Sequence, residues 1–289
     1  MIRRRSTLSG GSLLDMVCPI NWQNDLSRGL VARWQCMPGL MGGSRLVNLT
    51  RPGDKDGNHG TLTNGPTWQG ALGRPGGYGS LGFDGTDDNV AIPWAASLNV
   101  SNFTIGCWLK TTAASIQLLI SRDDEGNERV FQFRLDADGT PRVVLFGTGG
   151  TPINQFTDST AINNGAWRSL IATWDGTTLT FYIDGAPKTA TANALTLNTS
   201  ATFGMLLGAN RSSAAPISLF NGYLDQCFIR SGSLSASEVY ALYEDDLRGS
   251  PETLNWISTR TYFGVTAAAA VTRIGARNMS LPSLGRTVV

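Results

Sequence analysis

Between Trp167 and Pro187 the chain alternates apolar and polar residues twice in succession. Leu170, Ala172 and Trp174 share one face of an extended segment, and Leu179, Phe181 and Ile183 share one face of the next. Asp175-Gly176 between the two runs supplies the positive φ angles of a tight hairpin, and Asp184-Gly185 ends the second strand in the same way. Two strands cannot bury such a face by themselves, so the pattern predicts more sheet elsewhere.

Strand signals recur at 29–34, 103–110, 117–122, 130–136, 141–146, 201–208 and 222–230. The stretch from Leu81 to Trp94 reads as a further hairpin around Asp84-Gly85 and Asp87-Asp88. Segments 117–122 and 130–136 are expected to pair, with 141–146 as their neighbour. Residues 37–60 carry turn signals and read as a loop. About ten or more short strands at this spacing predict an all-β sandwich or jelly roll. One helix is expected: Ser235 and Glu238 have capping-box spacing, Val239, Leu242 and Tyr243 form an apolar stripe, and the domain closes near Asp246.

A chain of 289 residues with 41% hydrophobic content fits one large all-β domain with extensions. The division expected is an N-terminal arm over 1–28, a sandwich over 29–246 and a C-terminal extension over 247–289. The first arm is polar apart from Leu13, Leu14, Met16 and Val17. In the second, Trp256, Ile257, Tyr262, Phe263 and Val265 form a strand or a docking patch, and the small, basic remainder would not fold by itself.

The net charge of +1 conceals an uneven distribution. Residues 1–30, with Arg3, Arg4, Arg5 and Arg28, carry +2, and residues 247–289, with Arg273 and Arg277 among their arginines, carry +4. The body between carries −5. Basic ends on an acidic body are expected to dock on a neighbouring subunit, nucleic acid or another acidic surface; two solvated tails are the alternative.

Cys18, Cys36, Cys107 and Cys227 are too widely spread for a zinc site or a disulfide scaffold, and Cys107 and Cys227 sit in strand-like runs, so they read as buried reduced thiols. The run Arg3–Arg5 imitates the start of a signal peptide, but S-T-L-S-G-G-S follows where an apolar stretch of about 7–15 residues is needed. No run approaches the ~20 apolar residues of a membrane span. A soluble chain, made in a cytoplasm and with no membrane partner, is the expectation.

Several segments together resemble laminin G-like, concanavalin A-like domains: G-L-V-A-R-W at 29–34, G-N-H-G-T-L-T-N-G-P-T-W at 57–68, L-G-F-D-G-T-D-D-N-V-A-I-P at 81–93 and F-T-I-G-C-W-L-K at 103–110. The organising hairpin at 167–185, F-N-G-Y-L-D-Q-C-F-I-R at 220–230 and S-L-S-A-S-E-V-Y-A-L-Y at 233–243 continue the match in the family's order. The resemblance spans about residues 29–246 and implies a two-sheet antiparallel jelly roll. It leaves activity open, because such sandwiches host lectins, adhesive modules, enzymes and structural parts.

No E-x-D-x-x-E string of the related laminarinase-type hydrolases is present. The nearest acidic cluster, Asp123 to Glu128, reads as a solvated hairpin tip. His59 lies in a turn and has no marked partner for general-base work. A non-enzyme is expected.

The resemblance implies calcium as the metal to test, because laminin G-like domains often hold it at the sandwich rim through oxygen ligands. Asp225 matches the family's frequent aspartate before its last body strand, and Asn58 matches a nearby loop position. Asp54, Asp56 and Asn58 alternate but lack the remaining features of an EF-hand, and Asp87 and Asp88 read equally well as turn formers. Trp68, Trp94 and Tyr78 are available for stacking on a sugar, although each is expected to serve packing first.

The combined expectation is a bacteriophage virion structural protein, as capsid decoration, minor capsid protein or a tail or fibre part. It would display the sandwich, anchor it through Arg3, Arg4, Arg5, Trp256, Tyr262, Phe263, Arg273 and Arg277, and contact other virion proteins, copies of itself or host surface glycans. A free calcium-dependent lectin-like module is the alternative. Nucleic-acid contact by the arms ranks below both.

Overall fold

The hairpin marked by the sequence lies inside one of two facing sheets, in a computed structural model that describes residues 20–247 apart from 22, 39–42, 51–56, 71–72, 126–127, 152 and 213–214. The first sheet runs β14 (Ala186–Ala192), β13 (Thr178–Ile183), β12 (Arg168–Trp174), β7 (Phe103–Lys110), β17 (Asn221–Ser231), β5 (Ser80–Asp84) and β4 (Thr67–Gln69), and β1 (Leu30–Trp34) also pairs with β17. The second runs β11 (Ile153–Thr157), β10 (Pro141–Phe146), β9 (Arg129–Leu135), β8 (Gln117–Glu125), β15 (Met205–Leu207), β6 (Asn89–Ile92), β3 (Gly60–Thr63) and β2 (Arg45–Leu46). A short parallel strand, β16 (Arg211–Ser212), joins β8. The fold is the expected two-sheet antiparallel sandwich, with one α-helix among the described residues.

Within the hairpin Leu170 faces Ile183, Ala172 faces Phe181 and Trp174 faces Leu179, and all six are buried in the core between the sheets. The opposite face is buried too. Helix α1 (Ala236–Leu247) lays Val239 and Leu242 over Ile171, Tyr182 and Phe228, forming a second apolar cluster outside the first sheet. The capping box starts this helix: the Ser235 backbone N–H donates to Glu238 Oε2 at 2.8 Å and the Glu238 N–H donates to Ser235 Oγ at 3.4 Å. No helix among the described residues is long and apolar enough to cross a membrane.

β8 and β9 pair as expected, with β10 beside β9. The segment Leu81 to Trp94 is not a hairpin. β5 pairs with β4 and β17, β6 pairs with β3 and β15, and the turn between them carries the chain from one sheet to the other. The Asp-Gly turn chemistry is the same for either outcome, so partner choice is decided by burial: Leu81 and Phe83 enter the core from one side, Val90 and Ile92 from the other. Residues expected in the N-terminal arm also pack on the body, with Ile20 in the main core and Leu26 against the second cluster. Cys36, Cys107 and Cys227 are buried free thiols, and Cys18 lies outside the described residues.

The edge strand β14 is exposed along its whole length. Such an edge invites pairing with another chain. Asp158, after β11, accepts from the Thr189 N–H at 3.0 Å and its hydroxyl at 2.7 Å, occupying part of the edge. Burial pushes its carboxyl up, but hydrogen bonds from Thr189 and Thr160 outweigh this and hold it at about 2. A depressed folded-state pKa gives stability that is present above the ordinary carboxylate range and lost as pH falls toward that value. Asp158→Ala is expected to cost about 1–3 kcal/mol at neutral pH, and acid titrations of the two proteins followed by circular dichroism should converge toward pH 2.

Candidate functional site

β17 pairs with β7 along one side, and along the other with β5 through Asn221–Leu224 and then with β1 through Cys227–Arg230. Between the two partners the strand bulges, and Gln226 takes a positive φ of 49°. That break leaves backbone groups without a strand to bond. Asp225 meets the need: its Oδ1 accepts from the N–H groups of Cys36 and Gln226, both at 2.8 Å, and its Oδ2 accepts from Arg74 Nε at 3.0 Å. Arg74 reaches on to Gln226 and to the Asp246 carbonyl, while Gln226 and Trp108 donate to the Asp246 carboxylate. Arg33 pairs with Asp246 at 3.5 Å. Arg33, Arg74, Asp225, Gln226 and Asp246 are all buried. Burial raises the Asp225 carboxyl and Arg74 pulls it back down.

This network bolts the end of α1 to the sheet. Its donors surround Asp225 as donors surround a carboxylate, a set that fits an arginine ion pair and does not fit a calcium ligand. Asn58 takes part elsewhere: its carbonyl accepts from Trp34 Nε1 at 2.8 Å and its side-chain amide donates to Pro93. Among the described residues the two share no hydrogen-bonding partner. Asp84, Asp87 and Asp88 do come together, with one carboxylate oxygen of each within 4.8 Å of the others. His59, also buried, accepts from the Asn48 N–H through Nδ1 at 2.9 Å. Asp54 and Asp56, and the expected anchors Arg3, Arg4, Arg5, Trp256, Tyr262, Phe263, Arg273 and Arg277, lie outside the described residues.

The outer face of the second sheet carries an extended polar array. On β9, Gln132 and Arg134 alternate with Phe131, Phe133 and Leu135, which point into the core. Asp123 is not at a solvated tip: β8 continues through it, and it is 1% exposed. It accepts from Arg129 at 2.6 and 2.9 Å, from Gln132 at 2.5 Å and from Asn210 at 3.1 Å. Gln132 in turn accepts from Arg134 at 2.8 Å. Arg134 and Arg142 both hold Asp136, at 3.2 and 2.7 Å, and Arg142 donates to Gln155 at 3.0 Å. The chain of contacts crosses β8, β9, β10 and β11, about 14 Å at the usual strand spacing.

Burial lowers the Arg134 pKa although Asp136 works against it, and the hydrogen bond to Asp123 raises that of Arg129. Both guanidiniums are fixed in place, Arg129 also lying 4.0 Å over the Phe146 ring. Toward solvent the array offers planar donors alternating with amide and carboxylate acceptors, the groups that bond neighbouring hydroxyls of a polyol. The alternation on β9 and β10 is readable in the sequence, but the cross-strand contacts are not. Of the aromatic candidates, Trp68 and Tyr78 are partly buried against the core. Trp94 is 46% exposed and ties its Nε1 to the Ala201 carbonyl at 3.1 Å.

Among solved structures similar to this chain, the first two named below share its fold. The binding domain of Paraclostridial mosquitocidal protein 1 is 16% identical with a TM-score of 0.57, covering 76% of this chain and 52% of that one. The receptor binding domain of botulinum neurotoxin mosaic serotype C/D is 12% identical with a TM-score of 0.53, covering 76% and 51%. The chain thus spans about half the length of each of these two. The CBM40 of the Ruminococcus gnavus IT-sialidase, solved with α2,3-sialyllactose, is 16% identical with a TM-score of 0.47, covering 64% and 95%. No curated protein sequence matches. A laminin G-type family model, described as the concanavalin A-like lectin/glucanases superfamily, matches residues 84–240. That match takes in more than half of the chain and runs from the end of β5 into α1, so the chain belongs to the concanavalin A-like lectin/glucanases superfamily.

Proposed function

We propose that this chain is a non-enzymatic, glycan-binding module of a bacteriophage virion structural protein, displayed on the particle and anchored by its basic ends over 1–28 and 247–289. The observation that carries the glycan reading is the ordered ladder from Asp123 to Gln155, in which buried Asp123 and Gln132 fix the rotamers of the partly exposed Arg129 and Arg134, and Arg142 and Gln155 continue it toward solvent. Fixed donors and acceptors spare the entropy of ordering side chains when a sugar docks. The two solved domains with the higher TM-scores, named for binding and for receptor binding, support a recognition role for this fold.

The virion part of the reading is supported by the charge split, +2 and +4 at the ends against −5 in the body. The partners it calls for are other virion proteins or further copies of this chain, and host surface glycans for the displayed face. The test compares the full chain with residues 20–247, a span that keeps Ile20 and Leu26 in their packing sites. The full chain is expected to associate with particles or self-assemble by light scattering and electron microscopy, while 20–247 stays monomeric and keeps glycan binding. A full chain that binds glycans but remains a monomer would instead establish the free lectin-like module. On a glycan array Arg142→Ala should weaken binding by roughly tenfold, the worth of one charge-assisted hydrogen bond.

A further inference from the structure

On the outer face of the first sheet, β17, β5 and β4 set Tyr223, Gly82 and Thr67 in one row. Gly82 has no side chain, and the Thr67 hydroxyl and the Tyr223 ring share the space: a Cβ on residue 82 would lie 3.0 Å from Thr67 Oγ1 and 3.3 and 3.5 Å from Cε1 and Cδ1 of that ring. The ring therefore rests against the sheet instead of standing away from it, and it remains partly exposed. Trp167, just before β12, supports it with ring centroids 6.5 Å apart.

Beside this platform opens a groove of about 300 Å³, lined by Asn64, Thr67, Gln69, Asp84, Asp88 and Asn221. The volume is at the lower end of small-molecule sites, about 300–1,000 Å³, and suits one compact ring rather than a long chain. Its walls offer amides, a hydroxyl and carboxylates, with Asp87 completing the acidic trio at the turn. Burial, with Asp84 and Asp87 adding to it, holds the Asp88 carboxyl above the usual range against the pull of the Asp84 N–H. Further negative charge is unwelcome there. The cation in the same row is Lys110, across from Tyr223 on β7.

We propose that this groove binds a single neutral pyranose, the terminal unit of an uncharged glycan, stacked on Tyr223 with its hydroxyls bonded by the groove's amides and carboxylates. The inference rests on the glycan-binding reading above and adds a second site with its own selectivity. An aromatic face against the apolar face of a sugar ring supplies contact area, and neighbouring polar groups fix orientation. Three carboxylates disfavour sialic and uronic acids.

The experiment is a titration of the full chain, followed by the side-chain amide resonances of Asn64, Gln69 and Asn221. The probes are methyl glycosides of glucose, galactose and N-acetylglucosamine, with sialic acid and glucuronic acid alongside. Neutral glycosides should shift these resonances and the acids should not. Tyr223→Ala should weaken the effect by roughly tenfold, and Tyr223→Phe should keep it. Gly82→Ala, which crowds both the ring's seat and the Thr67 hydroxyl, should also weaken it without removing the ring. Equal binding of acids, or an unchanged Tyr223→Ala titration, would overturn the assignment. Shifts confined to Gln132 and Gln155 would overturn this site while leaving the glycan reading intact, and no shifts anywhere would overturn both.

Discussion

An Asp225→Ala protein is expected to lose about 3–5 kcal/mol of stability, because removing one member of a buried ion pair strands the other charge. Arg74 and Asp225 are both fully buried, and the same carboxylate holds the N–H groups of Cys36 and Gln226 at the break in β17. The substitution therefore leaves a guanidinium without its carboxylate and two amides without an acceptor. Asp225→Asn keeps an acceptor in place but removes the charge, and it should fall between the two. Urea unfolding with and without a chelator reads the cause. If the carboxylate serves Arg74, the chelator leaves the midpoint of the unsubstituted protein unmoved; a chelator-induced loss matching that of Asp225→Ala would show a cation there instead.

The second large effect lies in the organising hairpin. Trp174 is fully buried, faces Leu179 across the strand pair and packs its ring 5.6 Å from that of Phe156 in the opposite sheet. Trp174→Ala removes the largest side chain of the pair and leaves a cavity that two sheets cannot close, at a cost of about 3–5 kcal/mol. Trp174→Phe should be far milder than the lost volume implies. Among the described residues the buried indole Nε1 has no hydrogen-bond partner, so the smaller ring also removes an unsatisfied donor, which ordinarily costs about 1–3 kcal/mol. Thermal unfolding of the three proteins gives the order directly; a Phe variant as damaged as the Ala variant would contradict it.

What the sequence could carry follows from what period-two alternation encodes. It assigns a face to Leu170, Ala172 and Trp174, and turn residues assign a reversal, so the hairpin and the β8–β9 pair were readable. Neither signal names a partner across the core. The turn at Gly85 therefore passed for a hairpin although it joins two sheets. The capping box of α1 is local and was readable, but its burial of Ile171 and Tyr182 depends on residues some sixty positions away and was not. Charged residues show the same limit. Asp123, Asp225 and Arg122 carry no local mark of burial, yet Arg122 sits inside, donating to the carbonyls of Leu98 and Ala201 at 2.7 and 2.9 Å, its pKa lowered to about 10 by burial. The candidate site was legible only as alternating polar positions. Its ladder exists because four strands bring those positions into register.

The pairing of β17 with three strands bears on how the protein is made. Synthesis proceeds from the N-terminus, so β1, β5 and β7 all leave the ribosome well before residues 221–231 exist. Until then β5 and β7 lack the neighbour that lies between them, and β1 has no partner in its sheet. Pairing of this kind, distant along the chain, is slow and leaves strand edges open to other molecules. β17 acts as a keystone: nascent chains stalled before it should accumulate on chaperones, and those extended through it and the helix should be released folded.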